Sequence, residues 1–174
     1  MGEFQWYAGL GVRVVKDVTT SLGLQPAEPG SDRLLLADDV DAWRAFKAPK
    51  ESRPVLVSSL DPILATRREL GTLLDPADAD RRIAGDKALI TVGGVADLPN
   101  HAILDRGRLI GVWEYDPAAQ AIVYSTFVKR NAAIEKAVRR TTEFVRDQLG
   151  DARSFSLDSP KSRVPRIEAL RSLG

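Results

Sequence analysis

Three short apolar runs between residues 100 and 127 limit this chain more than any other stretch. They are His101–Leu104, Leu109–Tyr115 and Ala121–Phe127. Asp105-Arg106-Gly107 separates the first two, and Asp116-Pro117-Ala118-Ala119-Gln120 the last two. Glycine takes a positive φ without steric cost, and Asp-Pro suits the start of a type I turn. β-rich runs punctuated in this way predict an antiparallel meander. Alternation along the middle run predicts Leu109, Gly111, Trp113 and Tyr115 on one face, with Arg108, Ile110, Val112 and Glu114 on the other. The expected class is α+β, with the meander forming a small antiparallel β-barrel or curved sheet on which the flanking helices pack.

The N-terminal stretch has a different pattern. Residues 4–8 predict a short helix closed at Gly9-Leu10-Gly11, and residues 12–22 a second, with Val15, Val18 and Leu22 at helical spacing. Residues 24–28 and 33–36 flank Pro29-Gly30-Ser31-Asp32, which is a hairpin signal. Helix, glycine turn, helix and hairpin follow the order of a winged helix, in which Arg13, Lys16, Thr19 and Thr20 would be polar positions of the second helix. A short helix over 39–46 would turn Val40, Trp43 and Phe46 inward. Polar, proline-bearing residues 47–53 read as a linker, so the expected domains are 1–46 and 54–174. In the second, residues 54–58 predict a strand. Asp61-Pro62 opens a helix carrying Ile63, Leu64 and Leu70, with Arg67 and Arg68 on its other side, and Asp75-Pro76 opens another over 77–83. Residues 88–92 predict a strand. Asn131 caps a long helix, 132–149, whose inward positions are Ile134, Val138, Thr141, Val145 and Leu149. Residues 154–157 suggest a strand, 159–166 a basic loop, and 167–173 a terminal helix.

Several chemistries are excluded. There is no cysteine, and His101 is the single histidine, so thiolate sites and imidazole clusters are absent. No Gly-x-Ser-x-Gly elbow, P-loop or His-Glu-x-x-His motif occurs, and no cofactor or metal is expected. No apolar run reaches the ~20 residues of a membrane helix, and no signal peptide is evident, so a cytoplasmic location follows by default. His101 reads best as a core or rim histidine. Asp61, Asp75 and Asp116 precede prolines and read as caps or turns. Asp105 and Glu114 flank the meander and could face a cleft, and Trp113 and Tyr115 either stack on a base or fill an interior. Net charge is +1, but residues 129–174 hold 11 Lys/Arg against 6 Asp/Glu. That bias offers Lys129, Arg130, Arg139, Arg140, Lys161, Arg163 and Arg166 as phosphate contacts, with Arg13 and Lys16 on the second helix.

WYAGLG at 6–11, DADRRI at 78–83 and HAILDRGRLIGVWEYD at 101–116 carry a resemblance. The chain resembles the C-terminal part of the crosslink-repair DNA glycosylase family of winged helix DNA-binding domain-containing proteins. The resemblance implies a last winged helix followed by a β-barrel, and double-stranded DNA, intact or damaged, as partner. It implies removal of alkylated bases or unhooking of interstrand crosslinks for whole members. The family's Gln-x-Gln or Gln-x-Asp signature lies ahead of the matched region, and Gln5 here is followed by Trp6 and Tyr7. The expectation is therefore a non-catalytic DNA-binding module, a fragment or remnant of a longer enzyme, with no catalytic residue assigned. An active glycosylase and a small-molecule-binding barrel without a nucleic-acid role are the alternatives.

Overall fold

The computed structural model describes residues 2–67 and 69–174, so the expected outward placement of Arg68 lies outside the described residues. The chain divides into two compact units, 1–49 and 50–174. In the first, α1 (Gly2–Ala8) ends where Gly9 takes φ +62°, and α2 (Val12–Ser21) follows. The β-branched residues of α2 are poor helix formers, but its hydroxyls bond back one turn. Thr19 Oγ1 donates to the Val15 carbonyl at 2.7 Å and Thr20 Oγ1 to that of Lys16 at 2.8 Å. Strands β1 (Gln25–Pro26) and β2 (Leu34–Leu35) pair antiparallel, and α3 spans Val40–Ala45. Val15 and Val40 are buried, whereas Trp43 and Phe46, expected inward, are 44% and 68% exposed.

The second unit is built on a four-stranded antiparallel sheet in the order β3-β6-β7-β8. Its strands are β3 (Val55–Val57), β6 (His101–Asp105), β7 (Arg108–Asp116) and β8 (Ala121–Thr126). The last three form the expected meander. Arg106 and Gly107 both take positive φ, 51° and 80°, in a two-residue hairpin loop suited to the strand twist. At the next turn, Asp116 Oδ1 accepts from the Ala118 and Ala119 N–H groups at 2.9 and 3.2 Å.

The sheet does not close. Strands β3 and β8 are its edges, and β4 (Arg82–Ala84) with β5 (Leu89–Thr91) forms a separate ribbon. The expected barrel is therefore an open sheet with both faces covered. Helix α5 (Ala132–Phe144), prolonged by a π-helical turn over Val145–Leu149, buries Ile134, Val138 and Val145 against Ile103, Trp113, Tyr115 and Ile122. The opposite face packs Ala102, Leu104, Leu109 and Val112 against Leu70, Leu73, Ile83, Val92 and Leu170. Burial on both sides explains why β7 reads as a nearly continuous apolar run.

Five local expectations are corrected. A β-bulge shifts the β6–β7 register, so Ile103 pairs with Gly111 and Leu104 with Leu109. The extra residue inverts the alternation before it, and Leu109 joins the Val112 face while Ile110 joins Trp113 and Tyr115. The helix opened at Asp61 is only α4 (Pro62–Ala65), with Leu64 and Leu70 buried and Ile63 exposed. Residues 77–83 hold a single 3-10 turn, Pro76–Asp78, and then enter β4. Residues 154–157 form a turn, because the Ser154 side chain points into the core. The basic stretch 159–166 is the start of α6 (Pro160–Leu173), where Ser159 and Ser162 form a capping box with Pro160 at N1. Among the described residues no helix is long and apolar enough to cross a membrane.

Gly111 is required by the closeness of β8. A Cβ there would lie 2.5 Å from the Ser125 carbonyl oxygen and 3.0 Å from Thr126 Cα. Gly111→Ala is expected to cost about 1–3 kcal/mol of stability, read as a lower urea midpoint with an unchanged slope.

Candidate nucleic-acid surface and a buried ionic cluster

The structure separates the basic residues of the C-terminal third into two groups. Lys129 and Arg130 precede the Asn131 cap of α5, Arg139 and Arg140 lie on that helix, and Lys161 lies in the first turn of α6. All five are exposed. Among the described residues none of the five has an ion-pair partner, although Arg130 donates to the Tyr124 carbonyl at 3.3 Å and stacks 4.6 Å from that ring. In the first unit, Arg13 and Lys16 are exposed on α2.

Arg163 and Arg166 belong to the second group and correct the expectation that they face phosphate. Their exposures are 0% and 3%. Helix α6 presents them at positions 163 and 166, with Ile167 and Leu170 on the same buried face. Arg163 Nη1 donates to the Ala152 carbonyl at 2.7 Å and to that of Tyr115 at 3.4 Å, and Nη2 to Asp151 at 2.9 Å. Arg166 Nε donates to Glu114 Oε1 at 3.2 Å, Nη1 to Asp86 at 3.2 Å, and Nη2 to Asp158. Its guanidinium also lies 5.2 Å from the centre of the Phe155 ring.

Glu114 is completely buried at the centre of this cluster. Asn100 Nδ2 donates to it at 2.9 Å, and Ser154 Oγ lies 2.8 and 2.7 Å from its two oxygens. Burial raises the Glu114 pKa above the usual carboxylate range, against the pull of the Asn100 and Ser154 hydrogen bonds and the Arg166 charge. Burial also opposes the charge on Arg166, but Glu114 and Asp158 more than offset it, so the guanidinium holds its proton more firmly than usual.

The other acidic candidates are equally committed. Asp105 Oδ1 accepts from the Arg53 N–H at 2.7 Å, and Asp116 is paired with Arg171. Asp61 and Asp75 cap their turns by accepting from Ile63 and Ala77. Trp113 and Tyr115 lie in the core beneath α5, and Trp113 Nε1 donates to the Ala102 carbonyl at 3.1 Å. They fill the interior, and of the two only Trp113 also lines the cleft between the sheet and α5.

His101 was legible as a core residue, but its surroundings were not. Its Nδ1 accepts from the Ser59 N–H at 3.0 Å, which fixes the neutral tautomer with the proton on Nε2. Its ring tilts against Trp113 with centroids 4.2 Å apart. Nε2 is buried without a well-formed hydrogen bond. The Ala152 carbonyl is near enough to raise the ring's basicity, yet it already accepts from Arg163. Both residues line a cleft of about 630 Å³ between the sheet and α5.

No protein-family model and no curated protein matches this sequence. Among solved structures, the chain is similar to Streptomyces sahachiroi DNA glycosylase AlkZ, with a TM-score of 0.50 and 15% identity. The match covers 87% of this chain and 39% of that one, so this chain spans about two fifths of its length. The likeness is one of fold: a distant DNA glycosylase-like arrangement.

Burial lowers the His101 pKa from 6.5 to about 4. A depressed folded-state pKa contributes stability above the unfolded value that is lost as pH falls through the folded one. Stability is therefore expected to fall by roughly 3 kcal/mol for this group as pH drops from 6.5 to 4. In His101→Gln the pH slope of the unfolding free energy across that window should flatten by up to one proton.

Proposed function

We propose that this protein is a non-catalytic, sequence-independent DNA-binding module related to the tandem winged-helix DNA glycosylases. The observation that carries the reading is the glycosylase-like fold over 87% of the chain. The unpaired, exposed cations support it by supplying the charge a phosphate backbone requires. In this reading residues 1–46 are a winged helix, with α2 as its recognition helix and β1–β2 as a short wing, and 47–53 link it to the sheet domain. Arg13, Lys16, Lys129, Arg130, Arg139, Arg140 and Lys161 are the phosphate contacts. Duplex DNA, intact or damaged, is the partner.

The absence of catalysis is supported by the state of the carboxylates. Base removal needs a positioned water and groups that stabilise a developing oxocarbenium ion. Asp105, Glu114 and Asp116 are all buried and held by partners. The sequence holds no Gln-x-Gln or Gln-x-Asp motif.

Fluorescence anisotropy with unrelated duplexes over stepped salt tests the binding. Each phosphate contact should add about 0.9 to the slope of log affinity against log salt, so Arg139→Gln/Arg140→Gln should lower that slope by about two contacts' worth. The loss should be equal for every sequence, because phosphates carry no base information. Failure of the wild-type chain to bind any duplex at low salt would end the reading. Incubation with methylated duplex should release no purine, and multiple-turnover release would overturn the non-catalytic assignment.

A further inference from the structure

The cleft between the sheet and α5 has features that neither the core nor a DNA surface requires. Its inner wall is the His101–Trp113 pair, placed side by side by the β6–β7 register. The opposite wall is Ala137, Thr141, Phe144 and Val145. The π turn is closed by the Gly150 N–H donating to the Val145 carbonyl at 2.7 Å, and it brings Leu149 to the same opening. Val55, Phe144 and Leu149 around the opening are 51%, 53% and 57% exposed, an uncovered apolar rim.

The charged groups of the cleft are of one sign. Arg140 and Arg153 stand at it, and no aspartate or glutamate lines it among the described residues. Arg140 has no ionic partner among the described residues. Arg153 shares Asp151 with the buried Arg163, leaving two guanidiniums to one carboxylate. His101, 1% exposed, adds an Nε2–H that makes no well-formed hydrogen bond, the Ala152 carbonyl beside it being shared with Arg163. A buried donor without a partner is costly, and a site that lacks only an acceptor favours a molecule that brings one.

We infer that this cleft is a binding site for a small amphipathic organic anion, a flat apolar body carrying one carboxylate or phosphate. The body lies between His101–Trp113 and the α5 wall, and the anion meets Arg140 and Arg153. This site does not depend on the DNA reading, although Arg140 serves both.

His101 is the sole histidine, so its ring signals in a ¹H–¹⁵N spectrum report on the cleft without ambiguity. The full chain would be titrated with 2-naphthoate, 2-naphthyl phosphate and neutral 2-naphthamide, with calorimetry in parallel. At least one anion should shift the His101 signals saturably at 1:1 stoichiometry, and the one that binds more tightly identifies the headgroup. The amide should bind about tenfold more weakly or worse, as should the preferred anion to Arg140→Gln, because each removes a charge-assisted hydrogen bond. Ala137→Trp, which fills the cleft, should abolish the shift while the far-ultraviolet spectrum stays native. Lys136→Gln, on the same helix but away from the cleft, should leave affinity unchanged. Three results overturn the inference: no anion perturbing His101 at millimolar concentration, the amide binding as tightly as the anions, or Arg140→Gln binding as wild type.

Discussion

The contact between Glu114 and Arg166 is the one on which the second unit depends. Two opposite charges buried between a sheet and a helix are tolerated only when each finds further partners. Both do here. Asn100 and Ser154 complete the carboxylate, while Asp86 and Asp158 complete the guanidinium. Those partners come from separate stretches of chain: the loop before β6, the β4–β5 turn, and the turn before α6. Arg163 adds the Ala152 and Tyr115 carbonyls. Helix α6 is therefore fixed to the sheet by two arginines as much as by Ile167 and Leu170.

That arrangement changes what the charge pattern means. Residues 129–174 are basic as a sequence, but part of the charge is internal. Arg163 and Arg166 neutralise buried carboxylates, and Arg146, Arg153 and Arg171 are paired at or near the surface. The cations left for a polyanion are Lys129, Arg130, Lys136, Arg139, Arg140 and Lys161. Exposed, unpaired cations keep their full Coulombic reach at low ionic strength, whereas paired ones contribute little beyond a Debye length. Under the proposed DNA-binding reading, so small a set predicts a modest, salt-sensitive affinity.

The meander and α5 were legible because their signals are local. Arg106-Gly107 and Asp116-Pro117 set the turns, and Ile134, Val138 and Val145 repeat at helical spacing on a face that is apolar in sequence. The first half of α6 was missed for a physical reason, and only 167–173 read as helix. The helix's buried positions, 163, 166, 167 and 170, also follow helical spacing, but two of the four are arginines. Read as solvated charge, they hid the periodicity, and Pro160 and Pro165 reinforced the appearance of a loop. The Ser159–Ser162 capping box was the available clue. The open edges of the sheet and the bulge at Ile103–Leu104 are long-range outcomes of strand pairing that no single stretch encodes. The cleft was equally hidden, since its walls come from β3, β6, β7 and α5.

The central claim is that Arg166 is a structural cation whose loss strands buried carboxylates. A double-mutant cycle on Glu114 and Arg166, read by urea unfolding at neutral pH, tests it most directly. Arg166→Met alone should cost about 3–5 kcal/mol, because Glu114 and Asp158 would remain buried without their counter-charge. Glu114→Gln/Arg166→Met should recover part of that loss, with a coupling energy of about 1–3 kcal/mol. If Arg166→Met unfolds within about 0.5 kcal/mol of wild type, as an ordinary surface substitution would, the buried cluster does not hold α6 to the sheet.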